Sequence, residues 1–575
     1  MARRGGAIHV VTNRRRGTSG KEYVTHLLRR TFREGGKVRN ETVGNISHLP
    51  EELVALIRRY LSGERFLSLE ESFQVEASLP HGAAEAALQM VHRLELARLL
   101  DRTPSRERRL CLAMIVARLL RPASKLATAR ALQESTLLAE LELGQVDEDD
   151  LYRALDWLEE RRGAIERRLC RRHLRAGEHA LYDVSSAYFE GRRCPLAQLG
   201  YSRDRRRGFP QLVYGLLCDR RGRPLAIELF AGALHDDQTL PERLEALAER
   251  YGLRRLVLVI DRGMVTEANL QAIAGRGFAF ISALRAPQVK RLVREGDLQL
   301  SLLDETNLAE IESGDFPGER LLVCRNPLVG QERARKREAL LQATEAALSA
   351  LRQRVEQGTL AGEAAIGLAV GEVWNRHRMR KHFRLEIEER ALRFERKQAE
   401  IAAEAALDGI YILRTSVPAV ELDAEGVVRS YKQLAQVERA HRQLKGPDLE
   451  LRPIHHRLEE RVRAHALLCM LAYYLEWHLR EAWRELLFAD EHPPLADDPV
   501  APRKRSAQAT RKAQRKQGES GLPCHSWPTL LAHLTLRCRN RIRLAGTQAS
   551  FERLTEATPL QARALELVRA AELTT

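Results

Sequence analysis

The feature that most constrains the fold is the order of apolar segments between residues 179 and 284. Three strand-like stretches come first, at 179–189, 211–218 and 224–230. A helical pattern at 239–251, a buried apolar run at 256–260, a second helix at 267–274 and a last strand at 278–284 follow. Three consecutive strands suit an antiparallel meander, and the later alternation suits right-handed parallel crossovers. The segment therefore predicts a mixed α/β sheet.

The charge balance of the 575-residue chain indicates a polyanionic partner. The chain has 94 Lys and Arg against 78 Asp and Glu, a formal net charge of +16, which favours nucleic acid first and an anionic membrane second. No apolar run reaches the roughly 18 residues that a membrane span needs, and the start lacks the apolar segment of a secretory signal. The eight cysteines are scattered without a CxxC pair, which argues against a zinc finger and a disulfide framework. We expect reduced cysteines in a reducing cytoplasm.

The strand order at 179–284 is that of a ribonuclease-H-like core, and the other segments are arranged around it. The expected domains are a small basic β-rich domain at 1–50, a helical region at 51–178, the first half of the core at 179–285, an insertion domain at 286–405, the second half of the core at 406–486, a basic linker at 487–523 and a C-terminal segment at 524–575. Three short strands are expected at 7–11, 22–29 and 37–43. The basic sheet is explained equally well as a DNA contact or as a solvated surface. The helical region is either a DNA reader or a scaffold, and the linker is solvated coil or a phosphate contact.

Two aspartates stand where the predicted strands can bring them together. Asp183 lies inside the first core strand, although aspartate is depleted in strands. Asp261 directly follows the buried run at 256–260, and ligands bind at the carboxyl ends of strands in open α/β sheets. If these strands are neighbours, both carboxylates face one point, where like charges require a compensating cation such as Mg²⁺. Each aspartate taken alone is also explained as a strand-end cap or an ion-paired residue.

A third carboxylate, Glu438, lies on a helix predicted at 430–445. Tyr431, Glu438 and Lys445 recur every seven residues, so they share one face of an uninterrupted helix with a drift of about 20° per heptad. Arg442 follows Glu438 by four residues and lies on nearly the same face. An exposed helix stabilised by the Glu438–Arg442 pair explains that pair, but it does not explain the placement of Tyr431 and Lys445.

Histidine-containing clusters are weaker candidates for a site. His235-Asp236-Asp237 precedes a predicted helix, so helix capping explains it better than metal binding does. His377 and His382 lie in a basic stretch, and we expect both on the surface.

With these motifs in place, the chain resembles the DDE-type transposases of bacterial insertion sequences, in the group with a Tyr-Arg-Glu-Lys signature around the catalytic Glu. Tyr431, Glu438 and Lys445 match that signature, and Leu434 stands in the position of its Arg. Further matching stretches are Tyr182-Asp183-Val184, Gly200-Tyr201-Ser202, Ile260-Asp261-Arg262-Gly263, Asp408-Gly409 with Leu413-Arg414-Thr415, and Arg452-Pro453-Ile454. The resemblance spans most of the chain and is strongest from 180 to 480.

The resemblance implies a ribonuclease-H-like α/β enzyme with an insertion before its last catalytic helix and with β and α regions at the N-terminus. It implies that Asp183, Asp261 and Glu438 are catalytic metal ligands for two Mg²⁺ ions, with Mn²⁺ as a substitute. The expected reaction is DNA cleavage at the transposon ends, followed by attack of the freed 3′-OH on target DNA through two-metal chemistry.

The resemblance also implies contacts from Tyr431 and Lys445 to double-stranded DNA. Arg439 or Arg442 is a candidate to replace the Arg that is missing from the signature, and Arg262 is a further candidate contact. Because two ends are cut together, we expect a homodimer on DNA, in the bacterial cytoplasm at the nucleoid and without a membrane partner. Two other functions stay open: a ribonuclease-H-like nuclease that cuts without joining, and a catalytically inactive DNA-binding derivative.

Overall fold

The computed structural model describes residues 6–64, 66, 72–175, 177–191, 193–204, 206, 208–545 and 547–572. By their internal contacts the residues divide into two compact units, Met1–Ser78 with Arg539–Leu554 and Leu79–Cys538 with Thr555–Thr575.

The first unit begins with three antiparallel strands in the order β1-β2-β3. Its N-terminal elements are β1 (Ala7–Arg16), β2 (Glu22–Glu34), β3 (Lys37–Asn45), α1 (Glu51–Leu61) and β4 (Phe73–Pro80). The three strands expected here are confirmed, and each extends further than its apolar pattern indicated, because polar residues continue the pairing to Arg16 in β1 and to Glu34 in β2.

A helical segment opens the second unit. Its helices are α2 (Gly82–Arg93), α3 (Leu96–Leu100), α4 (Arg106–Leu120), α5 (Lys125–Gln133), α6 (Leu137–Glu140), α7 (Glu148–Glu160) and α8 (Arg162–His173). Leu151, Leu155 and Leu158 of α7 are fully buried at helical spacing, and the side chains of Asp147 and Asp150 cap the start of this helix. The predicted helical character is therefore confirmed.

The core sheet begins with β5 and follows the predicted order. Its first elements are β5 (His179–Tyr188), β6 (Gln211–Asp219), β7 (Pro224–Ala231), α9 (Leu240–Glu245), β8 (Val257–Ile260), α10 (Glu267–Gly275) and β9 (Ala279–Ala283). Strands β5, β6 and β7 form an antiparallel meander, whereas β8 pairs in parallel with β5 and β9 pairs in parallel with β8. This arrangement is the mixed sheet of a ribonuclease-H-like fold. The helix expected at 239–251 is shorter than predicted, because a 3₁₀ turn precedes it and a π turn follows it.

The residues assigned to an insertion contribute strands to the same sheet. The elements of residues 286–405 are α11 (Ala286–Glu295), β10 (Leu308–Ile311), β11 (Arg320–Arg325), α12 (Pro327–Glu356), α13 (Glu363–His377), β12 (Phe383–Glu388), β13 (Ala391–Arg396) and α14 (Gln398–Ala405). Strand β14 (Ile410–Thr415) follows them, in the second half of the core. The full order of the eight-stranded sheet is β10-β11-β14-β9-β8-β5-β6-β7. Helices α12 and α13 and the β12-β13 hairpin share a separate hydrophobic core. The expectation that His382 lies on the surface is wrong, because its side chain is buried beside Glu404.

Three helices complete the core: α15 (Ala424–Lys432), α16 (Leu434–Lys445) and α17 (Glu459–Ala482). The prediction of one continuous helix at 430–445 is wrong, because Gln433 ends α15 and α16 begins at the next residue. Helix α17 is buried along most of its length and packs against α4, α7 and β7. Among the described residues, no helix is both long and apolar enough to cross a membrane.

The C-terminal elements are α18 (Ala507–Arg515), α19 (Trp527–Thr535), β15 (Cys538–Leu544), β16 (Ser550–Leu554) and α20 (Pro559–Ala570). Strands β15 and β16 form a sheet with β4 in the first unit. The expectation of solvated coil through the basic tract at 503–516 is wrong, because part of it is α18. Its Lys512 ammonium is buried and donates to the carbonyl of Arg484 at 2.6 Å and to Glu491 at 2.8 Å. All eight cysteines are free, as predicted.

Candidate active site

The register of β5 and β8 brings Asp183 and Asp261 to adjacent positions. Tyr182 of β5 pairs with Ile260 of β8 in the parallel ladder. Asp183 is the next residue of β5, and Asp261 directly follows the end of β8. Neighbouring strands lie about 4.8 Å apart, so the two backbones hold these carboxylates at one level of the sheet. The condition set for the two carboxylates to face one point, that their strands are neighbours, is therefore met.

Asp261 also starts the short 3₁₀ helix that follows β8. Its carboxylate accepts a hydrogen bond from the backbone N–H of Gly263 at 3.3 Å. The capping role that competed with metal binding is therefore present as well, and it fixes the direction of the side chain. Asp261 and the neighbouring Arg262 are both exposed.

Glu438 lies on the exposed side of α16. The opposite side of this helix carries Val437, Ala440 and Leu444, which are buried as the helix packs on β5 and β6. We call Asp183, Asp261 and Glu438 the carboxylate site. Burial raises the pKa of Asp183 to about 7, and the negative charges of Asp261 and Glu438 add to this rise. The charges of Asp261 and Glu438 therefore both act on Asp183.

Tyr431 and Lys445 flank the carboxylate site from different helices. Tyr431 is on α15, where burial and the charge of Asp261 raise the pKa of its hydroxyl to about 12. Lys445 is the last residue of α16. Its ammonium donates to the hydroxyl oxygen of Ser185 at 2.7 Å. Ser185 is two residues beyond Asp183 on β5, so both side chains lie on the same face of the sheet.

Lys445 also belongs to a cluster of opposite charges that we call the Asp204 clamp. Its ammonium lies 3.3 Å from one oxygen of Asp204, and the guanidinium of Arg452 lies 2.5 Å from the other oxygen. The side chain of Asp204 is only 7% exposed. Burial lowers the pKa of Lys445, and the charge of Asp204 opposes this effect. The resemblance predicted a role for Lys445, but Asp204 was not singled out.

Sequence reasoning also missed His441, Arg203 and the true partner of Asp236. The imidazole Nε2 of His441 lies 3.6 Å from the carboxylate of Asp183, and burial lowers the pKa of the ring to about 3. The one sequence signal that could have placed His441 at this site was its position three residues after Glu438 on the same helix. Arg203 forms an ion pair with Asp236, and its backbone N–H donates to the hydroxyl of Ser186 at 3.1 Å. Asp236 is thus both the first residue of the 3₁₀ turn and an ion-pair partner.

Arg439 and Arg442 are both exposed on α16. Position 434, where the signature has Arg, holds the partly buried Leu434, which packs against the core. An apolar side chain there supports packing of the helix start and offers no charge to a phosphate.

The donor atoms of the carboxylate site suit a hard divalent cation. Among the described residues, no three His, Cys, Asp or Glu side chains lie close enough together to hold a metal ion jointly. The chemistry nevertheless fits, because Mg²⁺ prefers carboxylate oxygens. A cation would also offset the negative charges of Asp261 and Glu438, which add to the effect of burial on the pKa of Asp183.

Comparison with known proteins agrees with this geometry. The family model described as the transposase DDE domain matches residues 175–475, just over half of the chain. The model described as the IS1634 family transposase, N-terminal domain matches residues 8–71. No curated protein sequence matches the chain.

Among solved structures, the chain is similar to the piggyBac transposase in a synaptic complex with hairpin DNA. The identity is 7%, the match covers 79% of this chain and 76% of that chain, and the TM-score is 0.34. The family matches cover the β1–β3 region and the core that carries the carboxylate site. The chain therefore belongs to the DDE transposases of insertion sequences.

Proposed function

We propose that this protein cleaves DNA at the ends of an insertion sequence and joins the freed 3′-OH to target DNA, with Asp183, Asp261 and Glu438 as its catalytic carboxylates. The observation that carries the proposal is the β5-β8 register, which sets Asp183 beside Asp261. The electrostatic coupling of Asp183 to Glu438 supports the third assignment.

The same three carboxylates would hold the divalent cations, two Mg²⁺ ions with Mn²⁺ as a substitute. When bound, such a pair supplies activation of the attacking hydroxyl and stabilisation of the leaving oxygen. The chain itself supplies the rigid strand ends that aim two carboxylates at one place. His441 stays neutral at ordinary pH because burial lowers its pKa to about 3, so it packs beside Asp183 without adding a competing positive charge.

Cationic and polar groups around the carboxylate site are proposed to hold the DNA. Arg262, Arg439 and Arg442 are exposed guanidiniums, and phosphate contacts of this kind fix the position of a duplex without reading its sequence. Tyr431 and Lys445 flank the carboxylates. Lys445 acts as a point charge, positioned by Ser185 and Asp204.

The paired cutting of two ends requires two active sites, and we propose a homodimer on DNA at the bacterial nucleoid. Mass measurement of the protein with and without end DNA tests the dimer. A single protein copy on a cleaved end would contradict it.

The catalytic assignment is tested with the full chain, Mg²⁺, a target plasmid and a duplex of the DNA that flanks the reading frame. Asp183→Asn, Asp261→Asn and Glu438→Gln should each lower the cleavage rate by about a thousandfold or more, as loss of a catalytic group does in other enzymes. Duplex binding should persist. Glu425→Gln on α15 is the matched control, because Glu425 is an exposed carboxylate paired with Arg429. Unchanged cleavage in the three variants would refute the assignment.

The same assay separates the competing functions. Joined end–target product from the wild-type protein supports a transposase. Cleavage without joined product would identify a nuclease, and duplex binding without cleavage would identify an inactive derivative.

A further inference from the structure

The β1-β2-β3 sheet separates its charges between its two faces. In the β1-β2 ladder Arg15 pairs with Tyr23 and Arg16 pairs with Glu22, and paired residues share a face while successive residues alternate. Odd-numbered residues of β1 and β2 therefore face one way, together with residues 38, 40 and 42 of β3. The even-numbered residues of β1 and β2 face the other way with residues 37, 39 and 41.

All three acidic residues of the sheet lie on the even face. Glu22 is on β2, and Glu34 and Glu41 pair with residues of the same face. Two cations of this face are close to them: Arg30 lies 3.8 Å from Glu41, and Arg39 lies 3.2 Å from Glu34. The even face therefore neutralises part of its own charge.

Helix α1 also lies against the even face. The guanidinium of Arg58 donates to the hydroxyl oxygen of Thr12 at 2.7 Å. Residues Thr12, Arg14 and His26 line a pocket together with Val54, which is buried. The even face is thus engaged by helix α1 and carries the acidic residues of the three strands.

The odd face, which we call the acid-free face, carries cations and hydrogen-bonding side chains. Arg15 and Arg33 are exposed, as are Asn13 and Asn40, and Tyr23 is 56% exposed. Arg29 is half-buried between them. Among the residues of β1, β2 and β3, all of which the structure describes, this face has no Asp or Glu.

We infer that the acid-free face is a docking surface for double-stranded DNA, an inference that rests on the proposed function for its partner. A positive surface with no local acid attracts a polyanion rather than another part of the same sheet. The side-chain types also fit, because Arg contacts guanine, Asn contacts adenine and Thr contacts either base edge. Paired β-strands fit the major groove, which is about 12 Å wide.

The test compares two triple variants of the full chain with the same change of charge. Arg15→Gln, Arg29→Gln and Arg33→Gln alter the acid-free face, and Arg14→Gln, Arg16→Gln and Lys37→Gln alter the even face. Binding to a fluorescent duplex of the flanking DNA is measured by anisotropy across a salt series. Thermal unfolding of both variants shows that they are folded.

The acid-free variant should bind on the order of a hundredfold more weakly near 0.15 M salt, with a salt slope about 2.7 smaller, because each phosphate contact contributes about 0.9. The even-face variant should stay within a few-fold of wild type. Equal losses in the two variants, or no loss in the first, would overturn the inference while leaving the proposed function intact. Wild-type protein that does not bind duplex DNA would instead overturn both.

Discussion

The carboxylate site and the Asp204 clamp lie on the same face of β5 and have opposite electrostatics. At the first, burial raises the pKa of Asp183 to about 7, and the negative charges of Asp261 and Glu438 add to this rise. At the second, Asp204 lies between Lys445 and Arg452. A cluster of opposite charges is satisfied within the fold, whereas a cluster of like charges is completed by a ligand. The comparison supports the proposed chemistry at the first cluster and a positioning role for the second.

The largest expected effect on stability comes from removing the central charge of the Asp204 clamp. Asp204→Asn leaves Lys445 and Arg452 without their carboxylate, and loss of one partner from a buried pair costs about 3 kcal/mol. Urea unfolding of the metal-free protein measures this loss. Unchanged stability would show that solvent compensates both cations and that the clamp is not structural.

Removal of a charge from the carboxylate site should raise the stability of the metal-free protein at high pH, whereas removal of a charge from the Asp204 clamp lowers stability. Because the pKa of Asp183 is raised to about 7, its folded form binds a proton more readily than its unfolded form, and metal-free protein should lose stability as the pH rises from about 4 through 7. Asp183→Asn removes this loss and should be more stable than wild type by about 2 kcal/mol at pH 8. Thermal unfolding across pH measures the difference.

Added Mg²⁺ sharpens this prediction. Mg²⁺ should restore the stability of the wild-type protein at pH 8, because a ligand that binds the folded state stabilises that state. The gain in stability on adding Mg²⁺ should be smaller for Asp183→Asn. A wild-type protein with flat stability from pH 4 to 8 would contradict the raised pKa of Asp183, which burial and the neighbouring negative charges produce.

A smaller effect should follow from disturbing the strand pair beneath both clusters. A Cβ added at Gly215 of β6 would lie 2.1 Å from the hydroxyl of Tyr182, so the ring beside Asp183 must shift. Gly215→Ala should destabilise the protein by about 1–2 kcal/mol, as overpacking does. Denaturant unfolding measures the loss, and a DNA-cleavage rate that falls with it would show that both clusters depend on this contact.

The smallest effect is expected at an ion pair outside both clusters. Glu425 and Arg429 of α15 pair at 2.8 Å with about half of each side chain exposed. Glu425→Gln should change stability by a few tenths of a kcal/mol and leave cleavage unchanged. A large loss would mean that charge in general, rather than position, governs the activity.

The sequence was informative about the carboxylate site because its signals are local. The apolar run before Asp261 predicted a buried strand, and the order of elements predicted a mixed sheet in which this strand could lie beside the one that carries Asp183. The break at Gln433 was not predictable, because glutamine favours a helix as well as its neighbours do.

The Asp204 clamp was beyond sequence reasoning for a different reason. Lys445 and Asp204 are 241 residues apart, and no periodicity connects them. Likewise, β10 and β11 join the main sheet through β14, which follows them after the intervening hairpin and helices. Long-range pairing of this kind depends on tertiary packing rather than on local pattern.

The position of β14 has a consequence for biosynthesis. It lies between β9 and β11 in the finished sheet, yet it is made after both of them, and Glu438 is made later still. The chain therefore cannot assemble the whole carboxylate site until its residues through α16 have been translated. Any product truncated before α16 lacks Glu438, so under the proposed function incomplete translation yields a protein without its third catalytic carboxylate.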